Sequence, residues 1–160
     1  MLIGVVSDTH GHAEFARDAA RMLESFGVEV VLHCGDIGSP EIIHVFKAWP
    51  THYVFGNVDY DHAGLKKVIE AAGQTCHGRF GSFTLDGTNI ALLHSDDAAL
   101  FTETVNSGRF GIVCYGHTHV AKQEWRGDTL VLNPGALYRA TPHTVAIVDL
   151  PSRNVETISV

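Results

Sequence analysis

The sequence predicts an α/β domain in which two β-sheets pack face to face, a β-sandwich flanked by α-helices. Two observations carry that prediction. The first half alternates apolar strand-like runs with helical patterns, and the second half is a series of hairpin-separated strands. A third observation sets the organisation: 160 residues without repeat, low-complexity tract or linker fit residues 1–160 as a single domain.

Leu2 to Val6 reads as a buried strand, and Phe15, Ala19, Met22, Leu23 and Phe26 then recur on one helical face. Val28 to Leu32 repeats the strand pattern. Ser39-Pro40-Glu41 opens a second helix, with a cap, a proline at the first position and an acid near the positive end of the helix. Tyr53 to Phe55 is a short third strand, and Leu65, Val68, Ile69 and Ala72 mark a helix from about Asp61 that Gly73 stops.

The texture then changes. Phe83 to Leu85 and Ile90 to Leu93 flank an Asp86-Gly87 turn, while Glu124-Trp125 and Leu130 to Leu132 flank Gly127-Asp128. Ile112 to Tyr115 and Val145 to Val148 are further buried strands, the latter paired with Val155 to Val160, and Ala98 to Val105 is helical.

Composition narrows the functional classes. With 45% hydrophobic and 18% charged residues the chain is globular, and a formal charge of -7 argues against nucleic acid or anionic lipid as a partner. Cys34, Cys76 and Cys114 form no C-x-x-C pair and read as free thiols of a reducing compartment. The apolar start is too short for a signal segment and no run approaches membrane-spanning length, so the expected location is the cytoplasm. The sequence is compatible with a homo-oligomer.

The polar residues of interest follow the C-terminal ends of strands, where α/β sheets bind ligands. Asp8 and His10 follow the first strand, Asp36 the second, and Asn57 and Asp59 the third; His94 ends a hairpin strand, and His117 and His119 follow Ile112 to Tyr115. Gly35, Gly56 and Gly116 sit beside these groups and allow close approach of backbone. The x-spaced pairs Asp8/His10 and His117/His119 can each send two side chains to one side of an extended segment.

Two carboxylates, one amide and four imidazoles suit divalent manganese, iron or zinc, and seven ligands are too many for one ion. A bridging carboxylate, for which Asp36 is the candidate, would divide them between two ions about 3.5–4 Å apart, a spacing that lets both clamp a phosphoryl group and deprotonate a water between them. Singly, each residue has an ordinary explanation as a turn former or half-buried histidine. Jointly, chance does not place seven such residues at strand ends beside matching glycines.

Asp8-x-His10, Gly35-Asp36, Gly56-Asn57-Val58-Asp59, His94 and Gly116-His117-Thr118-His119, in this order, resemble the calcineurin-like metallophosphoesterase family over nearly the whole chain. Length and the segment Asn133-Pro134-Gly135-Ala136 are most similar to its small bacterial and archaeal phosphodiesterases, and a eukaryotic retromer subunit resembles the same group. The resemblance implies a four-layer, metallo-dependent phosphatase-like fold. It further implies one metal on Asp8, His10, Asp36 and His119 and another on Asp36, Asn57, His94 and His117, with Asp36, Asn57 and His94 as catalytic residues. The expected activity is phosphodiesterase on a small phosphate ester with two ions, manganese first and iron, nickel or zinc compatible. The alternatives are a phosphomonoesterase or a non-catalytic interaction module.

Two positions depart from the family pattern. Val58 stands where many members have a histidine that protonates the leaving group, and it has no proton to give. His94-Ser95-Asp96 lacks the Gly-His of relatives, which leaves Asp96 as the expected cap of the helix at Ala98. Among the remaining histidines, His12 is near enough to line the pocket, whereas His33, His44, His52, His62, His77 and His143 read as structural or surface residues. Trp49 and Trp125 read as packing, and Asn133-Pro134-Gly135 as a turn that shapes backbone near the site.

Overall fold

Strands Leu2–Val6 (β1), Val30–His33 (β2), Thr51–Tyr53 (β3) and Thr75–Cys76 (β4) run parallel, with Thr144–Asp149 (β10) antiparallel to β1 and Asn154–Ser159 (β11) antiparallel to β10. The order of this sheet is β11-β10-β1-β2-β3-β4. The second sheet, in the order β5-β6-β7-β9-β8, comprises Phe80–Leu85 (β5), Thr88–Leu93 (β6), Ile112–Cys114 (β7), Lys122–Arg126 (β8) and Thr129–Asn133 (β9). This computed structural model describes residues 1–160.

Alternation along the strands creates the layers. Ile3 and Val5 of β1, with Leu32 and Val148, face Ile90, Leu92, Ile112, Leu130 and Leu132 of the other sheet and form the inter-sheet core. Their neighbours Val6, Val31, Tyr53, Val145 and Ile147 point the other way, against Ala13–Ser25 (α1), Pro40–Val45 (α2) and His62–Ala71 (α3). Outward residues of the second sheet, Leu93, Val113 and Val131, meet Val105 of Ala98–Asn106 (α4) together with Phe110. The result is the expected four-layer α/β/β/α arrangement.

Helix ends follow local chemistry. Gly27 (φ +71°) and Gly73 (φ +72°) end α1 and α3 in the left-handed conformation, and Val28 and Gln74 bond back to Leu23 and Ile69. Asp61 caps α3 by accepting from the Gly64 N–H at 2.9 Å.

Several expectations need correction. Asp97, not Asp96, caps α4, accepting from Leu100 N–H at 3.0 Å, because Asp96 is drawn across to Arg79. Ser39 occupies the N-cap position of α2, but its hydroxyl makes no capping bond. The second strand begins at Val30, since Val28 is taken up in the core under α1. The third strand is Thr51–Tyr53, set by its register on β2 (Val31↔Thr51, His33↔Tyr53), after which Val54 and Phe55 already turn toward the site. Trp125 is 53% exposed beneath the Arg153 guanidinium rather than packed in a core.

Candidate metal centre

The seven candidate residues converge where the C-terminal ends of β1, β2 and β3 meet those of β6 and β7. The loops are locked before any side chain is considered. Asp8 N–H donates to Gly35 O, and His10 N–H donates to Asp36 O, so the first two strand-end loops remain hydrogen-bonded beyond their strands. Asp59 is buried and accepts from Ile37, Gly38 and Gly56 N–H at 3.1, 2.9 and 2.8 Å, tying the third loop to the second. Asn133 donates to Gly116 O and Thr118 Oγ1 and fixes the loop that carries His117 and His119.

Convergence uses a different backbone device from the extended alternation expected of the x-spaced pairs. Asp8, His10, Asp36, His117 and His119 all have positive φ, between 46° and 73°. Holding a non-glycine residue there costs on the order of 1–3 kcal/mol, a strain that persists only where the surroundings impose it. Aspartate and histidine adopt that conformation more often than most residues but mark it far less sharply than glycine does.

The carboxylates are each half-used. Asp8 Oδ2 accepts from Ser7 Oγ and from His117 N–H, and Asp36 Oδ1 accepts from Val58 N–H at 3.1 Å. Their second oxygens face the imidazoles. Asp36 Oδ2 lies 3.4 Å from His10 Nε2 and 3.3 Å from His94 Nε2. Asp8 Oδ1 lies 3.1 Å from His119 Nε2, 3.8 Å from His10 Nε2 and 4.0 Å from His94 Nε2. Asn57 Oδ1 joins the group 3.1 Å from His94 Nε2 and 3.0 Å from His117 Nδ1. The floor, Asp8, Asp36 and His94, is buried, whereas Asn57 and His117 are exposed at the rim.

The donor set fits divalent metal. His94 Nδ1–H donates to the Cys34 carbonyl at 2.8 Å and His119 Nδ1–H to the Arg139 carbonyl at 3.4 Å, which leaves each neutral ring's Nε2 as a lone pair aimed at oxygen acceptors. Asp8 Oδ1 and His10 Nε2 are buried without any hydrogen-bond partner despite these short separations. Carboxylate oxygens facing the Nε2 lone pairs of His94 and His119 suit a cation between them. The tightest groupings are Asp8/His10/His119 and Asp8/Asp36/His94.

Electrostatics agree. Burial pushes the Asp8 and Asp36 carboxyls up, but the surrounding imidazoles, the Ser7 hydroxyl and the Val58 N–H outweigh it and hold both below the ordinary carboxylate value. Burial pushes the His94 imidazole down, and the Asp36 and Asp8 carboxylates more than reverse that. The carboxylates thus favour positive charge at this place in the cluster.

Near the cluster, His12 stacks on Tyr138 at 3.9 Å, and Tyr138 lies 5.4 Å from the His10 ring. His33, at the end of β2, is fully buried and bonded to Thr9 Oγ1; burial lowers it to about 3 and keeps it neutral. Thr9, bonded through its hydroxyl to the Asp36 and Ile37 carbonyls, does work in the site that its residue type did not reveal, whereas Asp59 and Asn133 shape the neighbouring loops.

The calcineurin-like phosphoesterase superfamily domain matches residues 1–153, and the chain belongs to that family of metal-dependent phosphoesterases. A phosphodiesterase of Methanocaldococcus jannaschii is 30% identical over 99% of this chain and 98% of its own length. The solved structure of an archaeal phosphodiesterase superposes with a TM-score of 0.93 at 30% identity, covering 100% of both chains. A phosphoesterase from E. coli shares the fold at a TM-score of 0.70 and 16% identity, covering 99% of each chain.

Proposed function

We propose that this single domain, residues 1–160, hydrolyses small phosphodiesters with two divalent ions, manganese first and iron, nickel or zinc accepted by the same ligand types. Asp8, His10, Asp36 and His119 hold one ion, and Asp36, Asn57, His94 and His117 the other, with Asp36 between. The observation that carries this reading is the pair of imidazoles whose Nδ1–H groups are committed to backbone carbonyls while their Nε2 lone pairs face carboxylate oxygens. Two such ions would neutralise charge developing on the phosphoryl oxygens and lower the pKa of an attacking water. The role of the chain is to hold seven donors in place without reorganisation.

A hollow of about 420 Å³ beside Val58, lined by Pro40, Tyr60, Leu65 and Val68 together with Asp59 and Asp61, can receive part of the leaving group. Val58 supplies no proton there, which favours leaving groups that depart as stable anions. Bis(4-nitrophenyl) phosphate is therefore cleaved and simple dialkyl phosphates hardly at all; equal rates on both would contradict the assignment. The first experiment is manganese-dependent hydrolysis of bis(4-nitrophenyl) phosphate by wild type and Asp36→Asn. Turnover lost in the variant supports the proposal, and absence of turnover with manganese, iron, nickel and zinc overturns it. Cys34 and Cys114 are buried free thiols, and no helix is long and apolar enough to cross a membrane, both compatible with a cytoplasmic enzyme.

A further inference from the structure

Arg139 is the residue at the rim that the metal centre leaves unexplained. Its backbone carbonyl orients His119, and its own φ is +51°. Its guanidinium lies 5.3 Å over the Tyr138 ring. Tyr138 is in turn held against His12 at 3.9 Å and beside His10 at 5.4 Å, so the arginine is joined to the cluster through both backbone and ring contacts.

Charge makes the placement informative. Most arginines of this acidic chain are neutralised or engaged: Arg17 by Glu41, Arg21 by Asp18, Arg79 by Asp96, Arg126 by Glu124, and Arg153 by the Asp128 carbonyl. Arg139 is exposed and has neither an acidic partner nor a side-chain hydrogen bond; its one contact is the aromatic face that holds it. A cation–π contact restrains the guanidinium without using its N–H groups, which stay free for an incoming acceptor. The five donors of a guanidinium match the oxygens of a phosphate, and two can bind it side by side.

We propose that Arg139, held by Tyr138, forms a subsite for a second phosphate carried on the non-reacting arm of the substrate. The natural substrate class is then a phosphodiester that also bears a phosphomonoester, as a phosphorylated nucleotide ester does. The proposal rests on the phosphodiesterase reading above for its catalytic test, though not for its binding test.

Two probes separate the subsite from the chemistry: the 4-nitrophenyl ester of thymidine 5′-phosphate, and the same ester carrying a 3′-phosphate. They share leaving group, sugar and base and differ by one phosphomonoester. Wild type loaded with manganese should prefer the 3′-phosphorylated ester at least tenfold in kcat/KM, mainly through KM. Arg139→Asn, a residue tolerated at positive φ, should reduce that ratio to near one, and Arg139→Lys should retain part of it. Equal kcat/KM for the two esters in wild type, or an undiminished ratio in Arg139→Asn, overturns the proposal. If neither ester turns over, the phosphodiesterase reading fails, and calorimetry of thymidine 3′,5′-bisphosphate against thymidine 5′-phosphate decides the subsite. Tighter binding of the bisphosphate by at least tenfold, lost in Arg139→Asn, supports it; equal binding rejects it.

Discussion

Gly56 shows how little room the site leaves at single atoms. A Cβ placed there would fall 2.1 Å from Asp36 Oδ1 and 2.4 Å from the Asp36 backbone N, and Gly116 stands in the same relation to Ser7 Oγ at 2.0 Å. Relief requires Asp36 to move, carboxylate and backbone together, or the Gly56 loop to withdraw from it. Gly56→Ala should therefore keep its fold but weaken manganese binding and lower kcat at least tenfold, read by calorimetry and by steady-state hydrolysis of bis(4-nitrophenyl) phosphate. Wild-type metal affinity in that variant would show that Asp36 does not need its observed position. The sequence made this glycine visible through its place beside Asn57. It did not make visible the positive φ of Asp8, His10 and His119, because those residues were chosen for their donors and bear the strain as a consequence.

Where β3, β4 and β5 meet, His52 Nδ1 and His77 Nε2 lie 2.8 Å apart, and both rings lie against Phe83, at 4.2 and 4.8 Å. The pair joins the two sheets, since His52 is in β3 of one and Phe83 in β5 of the other. One ring must donate and the other accept, so the arrangement requires at least one neutral imidazole. Burial depresses His52 to about 4, and the neighbouring His77, itself lowered by burial, adds to the effect. A histidine lowered in the folded state takes up protons more readily when unfolded. This contribution is present above the unfolded pKa of about 6.5 and is lost as pH falls toward the folded value. The Tm of metal-free protein should accordingly drop between pH 7 and 5, and His77→Gln should flatten the drop; an unchanged slope would remove the pair from the account. Neither this junction nor β4 was legible in the sequence. Thr75-Cys76 is too short for any period to register, and His52 and His77 are brought together only by strand order. The long apolar strands and the glycine-stopped helices were legible because each repeats its pattern over five or more residues.

The whole molecule has two sheets that meet through an apolar core, and the candidate ligands are divided between them. Asp8, His10, Asp36 and Asn57 leave the six-stranded sheet, whereas His94, His117 and His119 leave the five-stranded one. Metal bound among them joins the two layers at one edge, where the lone pairs now face each other across 3.1 to 4.0 Å. Anything that binds only the folded state stabilises it by mass action, by about 2.7 kcal/mol at a hundredfold excess over Kd for one site. Manganese should raise Tm by several degrees and protect amides in loops from both sheets against exchange. Protection confined to one sheet would argue against a shared centre. Bound metal measured by elemental analysis then divides the roles of the two carboxylates. If Asp36 bridges, Asp36→Asn should lose both ions while Asp8→Asn keeps one; the reverse result would pass the bridging role to Asp8, which belongs to both ligand groupings.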